Sequence, residues 1–299
     1  MKALNKLITS TCVKQETFKL TDHPAHLKDT YKQTLQEYSK VADDDLEDIS
    51  KWQNKLFAED RQSLLIILQG MDSSGKDGTI KYLMKGWNPQ GVMVSSFKHP
   101  SLQELEHDYL WRHTLKLPEH GQIAIFNRSH YENVLITKVH PSLVLSERLK
   151  DYDTLSKVDK SFWNFRYHQI KQFERSQIEA GTQILKIFLH ISKDEQGKRF
   201  IDRINSADKH WKFSSIDIEE RGYWKEYQLA YEMAIRKTST HLAPWYVIPA
   251  DDKTLAHLMI QRIVLDKLVE MNPILPPKTS KERAYMQQAK LRLQNEMRG

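Results

Sequence analysis

Gly70-Met71-Asp72-Ser73-Ser74-Gly75-Lys76 has the spacing G-x-x-x-x-G-K. It follows the apolar run SLLIILQ (63–69), and the residues after it can continue as a helix. Strand, glycine loop, lysine and helix together form a phosphate cradle. The glycines let the backbone curl so that its N–H groups face an anion. The helix N-terminus adds partial positive charge, and Lys76 adds a full one. Met71, Ser73 and Ser74 belong to the cradle by position. Asp77 stands where a Ser or Thr hydroxyl ordinarily holds Mg²⁺, and Gly78 follows it. A carboxylate must then supply the metal ligand, and Asp72 is the nearest candidate. A chance match in a tight strand–helix turn is the alternative. The strength of the preceding strand argues against it.

A second group of reactive side chains sits in IFNRSHYEN (125–133). Asn127 ends a buried strand, at the place where a phosphate-loop protein carries a metal-binding acid. Arg128 follows at once, a charge suited to a phosphoryl group. Glu132 is four residues further on and within reach of a metal or water. An i,i+4 ion pair at a helix start is the plain alternative for Arg128 and Glu132. His130 and Tyr131 fit packing roles equally well. The third stretch is KRFIDRINSADKHWKFSSIDIEERGYWK (198–225). Arg199 and Arg203 share one helix face, and Lys209 and Lys212 flank Trp211. Acids are interleaved, so a solvated helix with salt bridges and a lid closing on phosphates are equally good readings.

These groups need a scaffold. Apolar runs at 63–69, 92–97, 122–127, 183–191 and 244–249 have strand length, and helical patterns separate them. Residues 25–59 suit two packed helices. Pro100-Ser101 caps a helix through about His113. Residues 252–271 suit a helix, and 272–299 opens with Pro273, Pro276 and Pro277 before an exposed basic helix. Strands alternating with helices imply a parallel sheet covered on both faces, with the ligand outside the C-terminal strand ends.

Composition sets the outer bounds. The chain has 299 residues, 39% hydrophobic, a net charge of +6 and 13 histidines outside that count. Mean hydropathy is −0.63 and the pI is about 9.1. Such a balance suits an anionic partner. Cys12 is the single cysteine, so no internal disulfide and no cysteine zinc site can form. MKALNKLITSTCVKQ lacks a long apolar run and a clean cleavage site, and no stretch reaches spanning length, so the chain reads as cytoplasmic.

GMDSSGKDGTIK, FNRSHYENVL, KRFIDRINSADKHWKFSSIDIEERGYWKEY and HLAPWYVIPADDK together resemble the polyphosphate kinase 2 family, in order and in spacing, from roughly residue 20 to 270. The resemblance is greatest to class III, which it associates with phosphorylating nucleoside mono- and diphosphates. It implies an α/β fold: a P-loop kinase-like three-layer α/β/α sandwich with a five-stranded parallel sheet and a helical lid. Residues 1–60 would be a helical extension, 61–271 the kinase domain with lid elements near 130–165 and 193–225, and 272–299 a tail. The implied reaction is reversible transfer of the terminal phosphoryl group of inorganic polyphosphate to AMP and ADP, with guanine nucleotides as further acceptors. Mg²⁺ or Mn²⁺ would be the cofactor. The partners would be polyphosphate, adenine nucleotides and further copies of the chain, with neither nucleic acid nor membrane. Carried over by position, Asp72 would hold the metal and Lys76 would grip the transferring phosphates. Arg128 and Glu132 would line the reacting centre, and Asn127 and Asn133 would meet the nucleotide. Arg199, Arg203, Lys209 and Lys212 would form the lid and the polyphosphate track. Relatives have Asp at the Asn127 position, many have Asp at that of Asn133, and Ala207 replaces a common Pro. An ATP-dependent kinase of the thymidylate-kinase type, or a basic P-loop ATPase, has the same architecture; the phosphoryl donor separates them.

Overall fold

The run 63–69 is buried along its whole length, and the rest of the chain is arranged to keep it so. The computed structural model describes residues 2–13, 17–212 and 214–298, and their side chains except those of Lys2, Thr30, Lys209 and Lys212. Among the described residues six strands are present: β1 (Cys12–Val13), β2 (Ser63–Gln69), β3 (Val92–Ser96), β4 (Ile123–Asn127), β5 (Thr182–His190) and β6 (Trp245–Pro249). Their order in the sheet is β1-β6-β5-β2-β4-β3. The five longer strands run parallel, where the sequence places them. The expectation of five strands needs one correction. β1 adds a sixth, antiparallel to β6, pairing Cys12 with Tyr246 and Val13 with Trp245. Two residues have no readable period, so only pairing with β6 reveals this strand.

Parallel strands need helical crossovers, and these cover both faces. The helices of eight or more residues are α1 (Lys2–Thr11), α2 (Asp29–Ser39), α3 (Ala42–Glu59), α4 (Lys76–Leu83) and α5 (Lys160–Glu179). They continue as α6 (Lys193–Asn205), α7 (Ser215–Gly222), α8 (Trp224–Thr238), α9 (Lys253–Met271) and α10 (Ser280–Glu296). Alternate residues of a strand face opposite ways. Leu64, Ile66 and Leu68 therefore join Leu4, Leu35, Ile49 and Leu56 of α1–α3 and the apolar side of α9 in one cluster. Leu65 and Ile67 join Phe162, Tyr167, Ala230 and Tyr231 of α5 and α8 in the other. Each fully buried aliphatic side chain of β2 contributes about 1.5–3 kcal/mol. A polar substitution at any of them opens one layer.

Two helical expectations meet local chemistry. The helix expected from Pro100 to His113 is split into Leu102–Leu105 and Trp111–Thr114. Asp108 is the reason: its Oδ1 accepts from the Leu110 backbone N–H at 2.9 Å and turns the chain between the two pieces. The tail helix α10 forms as expected, with a Thr279–Glu282 capping box, and buries none of its residues. Among the described residues no helix is long and apolar enough to cross a membrane.

A charged pair lies inside the core. Lys186, in the middle of β5, is fully buried. Its Nζ donates to Glu174 Oε2 at 2.6 Å, to the Thr238 carbonyl at 2.8 Å and to the Tyr131 hydroxyl at 3.1 Å. Tyr131 in turn donates to Glu174 Oε1 at 2.6 Å. Burial alone would raise the Glu174 pKa, but Lys186 and His130 outweigh it and hold the carboxyl below its ordinary range. A buried pair is costly to break from one side only, because the other charge is left in the core. Glu174→Leu should therefore lower unfolding free energy by about 3–5 kcal/mol. The double variant Glu174→Leu/Lys186→Met should recover most of that loss. Urea midpoints of the two variants check it; equal losses would show that the pair does not act as a unit.

Candidate functional site

The loop after β2 lies where the strand order changes direction, since β2 pairs with β4 on one side and β5 on the other. Ligands bind at such points in open α/β sheets. Two glycines shape the loop. A Cβ on Gly70 would lie 2.5 Å from Ser74 Oγ and 2.9 Å from the Leu189 carbonyl oxygen, so no side chain fits there. Gly75 caps α4 with φ of 108°, a left-handed conformation that glycine adopts freely. Ser73 and Arg128 are left-handed without being glycine, at φ of 61° and 62°. Such positions cost of order 1–3 kcal/mol and persist only where neighbours enforce them. For Arg128 the enforcing contact is its backbone N–H on the Leu68 carbonyl at 3.1 Å, which continues the β2–β4 ladder.

The side chains above the loop form a compact set of opposed charges. Arg128 Nη2 donates to Asp72 Oδ1 at 2.6 Å. Arg128 is thus paired with the loop carboxylate, not in an i,i+4 surface pair with Glu132. Burial disfavours its charge, but Glu132 and Asp72 outweigh burial and hold its pKa above that of an ordinary arginine. Glu132 is itself pushed up by burial, against the pull of Arg128 and Lys76 and with a further push from Asp72. Its Oε1 accepts at 3.0 Å from the Gln69 amide, oriented so that its oxygen takes the Ser129 N–H at 3.1 Å. Asn127 Nδ2 donates to Asp77 Oδ1 at 2.8 Å. A carboxylate at position 127 would face Asp77 with like charge. Asn133 Nδ2 donates to the His130 carbonyl at 3.3 Å, within its own turn.

Lys76 is buried, with its Nζ donating to the carbonyls of Gly70 at 2.6 Å and Met71 at 3.2 Å. Burial first, and the charge of Arg128 second, push its pKa down to about 8 against the pull of Asp72, Glu132 and Asp77.

The third stretch divides in two. Arg199 is buried and spends all its donors on protein. Nε reaches Glu195 Oε1 at 2.9 Å, and Nη1 reaches the Ser73 and Ser74 carbonyls, both at 3.0 Å. Nη2 reaches the carbonyls of Ala250 at 2.6 Å and Asp251 at 3.0 Å. A guanidinium has five N–H groups, so none is left for a phosphate. In this structure Arg199 is a brace between the loop and the β6–α9 turn. Arg203 donates to Ser73 Oγ at 2.7 Å and to Asp217 Oδ2 at 3.0 Å. Lys209 and Lys212 fall in the 3₁₀ segment Ala207–Lys212, and their side chains lie outside those described. Gly78 is exposed at the start of α4.

Three contributors carry no sequence signal of their own. Gln196 Nε2 donates to the Asp72 carbonyl at 2.9 Å, and Arg221 Nη1 donates to Gln196 Oε1 at 3.0 Å. Asp217 is held high by burial and by the charge of Asp72, against Arg203 and Arg128. All three lie in or beside the charged stretch, but only packing of α6 and α7 over the loop brings them to it.

Among the described residues no three His, Cys, Asp or Glu side chains form a metal-holding cluster. The donor set still fits Mg²⁺. That ion takes hard oxygen ligands, and it commonly uses one or two carboxylates plus substrate phosphate and water. Asp72, partly exposed at the loop, is such a carboxylate.

The profile of the family described as Polyphosphate kinase 2 matches residues 31–276. The chain belongs to that family. It is 43% identical over 265 residues to an ADP-polyphosphate phosphotransferase of Rhodopseudomonas palustris, covering 89% of this chain and 91% of the relative. It is also 43% identical over 240 residues to an AMP/ADP-polyphosphate phosphotransferase of Meiothermus ruber, covering 80% and 84%. The crystal structure of polyphosphate kinase 2 from Arthrobacter aurescens superposes with a TM-score of 0.82 at 35% identity, covering 93% of this chain and 95% of that one. The α/β sandwich described above is the fold of this family.

The lowered pKa of Lys76 sets a pH dependence for a polyphosphate kinase 2 loop. Bound phosphate stabilises the ammonium form, so the pKa rises on binding. Donor affinity is then level below about pH 8. It falls as pH rises above that value, by up to about tenfold per unit. A pH series of donor Kd should show this break, and Lys76→Arg, always charged, should remove it.

Proposed function

We propose that this chain transfers the terminal phosphoryl group of inorganic polyphosphate to AMP and to ADP, with Mg²⁺ as cofactor. The observation that carries the reading is the convergence of Lys76, Asp72, Arg128 and Glu132 at the C-terminal ends of β2 and β4 in a chain of this family. The relatives' names supply the donor and both acceptors.

The chemistry asks little covalent help of the protein. A phosphate oxygen of the nucleotide attacks the terminal phosphorus of the donor. The bond from that phosphorus to its bridging oxygen breaks, and the electron pair stays with the shortened chain. A nucleotide phosphate is already ionised at neutral pH, so no general base is needed. The protein's work is alignment and positive charge over the equatorial oxygens. The loop N–H groups and Lys76 hold the donor. Lys76 is kept ready on the Gly70 and Met71 carbonyls, and it exchanges those partners for phosphate oxygens. Arg128 leans over the transferring group, steadied by Asp72 and by the field of Glu132. Arg203 reaches the loop from α6 and carries charge to the same region. Asp72 would hold the Mg²⁺, which screens the donor's negative charge when bound. Asn127 and Asn133 border the acceptor side, and Asn127 leaves Asp77 without a like-charged neighbour.

With long-chain polyphosphate, Mg²⁺ and no added ATP, the protein should make ADP from AMP and ATP from ADP. Product only when ATP is the donor would replace this reading with an ATP-dependent nucleotide kinase. Phosphate release without any acceptor would indicate an ATPase. Asp72→Asn should raise the Mg²⁺ concentration for half-maximal rate by at least about tenfold, or remove turnover. Wild-type Mg²⁺ dependence in that variant would take the metal away from Asp72.

A further inference from the structure

The last turn of α7 carries two neighbouring side chains tied to different parts of the molecule. Glu220 Oε2 accepts from the Tyr227 hydroxyl at 2.6 Å and lies 2.9 Å from His140 Nε2, downstream of the β4 turn. Arg221 Nη1 donates to the Lys193 carbonyl at 2.9 Å and to Gln196 Oε1 at 3.0 Å, both on α6. Gln196 is buried, and its Nε2 donates to the Asp72 carbonyl at 2.9 Å. A chain of hydrogen bonds therefore runs from α7 through α6 into the phosphate loop.

Each link fixes the next. A guanidinium has donors only, and a backbone carbonyl only accepts. Gln196 is thus oriented at both ends, oxygen to Arg221 and nitrogen to Asp72, and a flipped amide would satisfy neither partner. Other side chains of similar length do less. A carboxylate keeps the acceptor for Arg221 and loses the donor for Asp72. A thioether has no donor and is only a weak acceptor. α6 also makes room for the arginine. A Cβ on Gly197 would lie 3.2 Å from Arg221 Nη2. Glycine in a helix interior is worse than alanine by about 0.5–1 kcal/mol, and here it leaves free the space beside the guanidinium.

The chain of bonds ends where loop geometry bears on the chemistry. The carbonyl that Gln196 holds belongs to the peptide joining Asp72 to Ser73, and Ser73 is left-handed at φ of 61°. A rotation of that peptide swings the Asp72 side chain, whose Oδ1 accepts from Arg128 Nη2 at 2.6 Å. The other α6 contacts reach the loop further on. Arg199 holds the Ser73 and Ser74 carbonyls, and Arg203 donates to the Ser73 hydroxyl.

We propose that Arg221 and Gln196 are positioning residues for the transfer reaction. Arg221 orients the Gln196 amide, the amide fixes the Asp72 peptide, and the Asp72 carboxylate then holds Arg128 over the transferring phosphate. The proposal rests on the donor and the site residues proposed above. Both side chains act through Asp72, and neither needs to touch donor or acceptor.

The test uses Gln196→Met, Gln196→Glu, Arg221→Met and Arg221→Lys with ADP, Mg²⁺ and long-chain polyphosphate. Gln196→Met and Arg221→Met should each lower kcat by about tenfold or more, with KM for polyphosphate within about twofold of wild type, because Lys76 and the loop N–H groups still hold the donor. Gln196→Glu separates positioning from stability. It keeps a partner for Arg221 and with it the melting temperature, yet kcat should fall as far as in Gln196→Met. Arg221→Lys keeps a donor for the Gln196 oxygen and should retain about half of kcat or more. The double variant Gln196→Met/Arg221→Met should lose no more than either single one, since residues acting as a unit are not additive. Losses that multiply, or wild-type kcat in Gln196→Glu, would overturn the proposal. Amide hydrogen exchange without substrate is the second readout. Peptides covering 70–76 should exchange faster in Gln196→Met and in Arg221→Met, and those of β2 should not. An unchanged loop would overturn the proposal as well. If the wild type transfers nothing from polyphosphate, the donor reading fails before any variant is compared, and the exchange result still decides whether Arg221 and Gln196 hold the loop.

Discussion

A loop that grips phosphate must hold its shape without the phosphate, and here Arg199 does most of that holding. Its five donors tie Ser73 and Ser74 in the loop to Ala250 and Asp251 beyond β6 and to Glu195 on its own helix. A backbone curled to present N–H groups to an anion points its carbonyls the other way. Those carbonyls need donors, since buried acceptors without partners are costly. Arg199 supplies them from below, and Lys76 supplies Gly70 and Met71 from above. The loop is thereby preorganised, and the ligand does not have to meet the cost of ordering it.

The same economy governs the charges above the loop. Lys76, Arg128 and Glu132 are packed so closely around Asp72 that all three feel its charge. Two cations and two anions balance without a ligand, which keeps the site folded. An arriving polyanion upsets this balance in one direction only. It favours Lys76 and Arg128 in their charged forms and repels the carboxylates, and a divalent cation at Asp72 offsets that repulsion. A cationic site without acids would be destabilised by its own repulsion before the donor arrived.

Much of this was legible in the sequence because the signals are local. The loop, its lysine and the strand before it occupy adjacent residues, so spacing alone reports them. The five parallel strands are apolar runs bounded by turn residues, and each lies within about a residue of its expected limits. What was not legible depends on distance in the chain. Arg199 and Arg203 sit on one helix four residues apart, with the same chemistry, yet one braces the loop and the other faces Asp217 and Ser73. Only the position of the β6–α9 turn, some fifty residues later, separates these fates. Gln196 and Asp217 are polar residues among many, and they matter because α6 and α7 fold over the loop. β1 escaped because two residues carry no period.

The segment 128–132 shows how one short stretch serves both layers. Arg128 and Glu132 face the loop, while His130 and Tyr131 are fully buried. Tyr131 bonds to Glu174 and to Thr238, and Lys186 closes the network from β5. His130 lies 3.4 Å from Glu174 Oε1. These two side chains are packing residues, as one of their sequence readings held, and they pack against a buried charge as well as against the rings of Trp245 and Phe173. A hydrogen-bonded anchor fixes orientation more narrowly than apolar contact, because a small rotation leaves a donor unpaired. Arg128 is held left-handed on the other side of Ser129, so its direction depends on where the following turn is anchored. The core network thus sets the aim of the guanidinium through two residues of chain. This buried charge network is placed where a small error in backbone angle would move the charge that faces the loop.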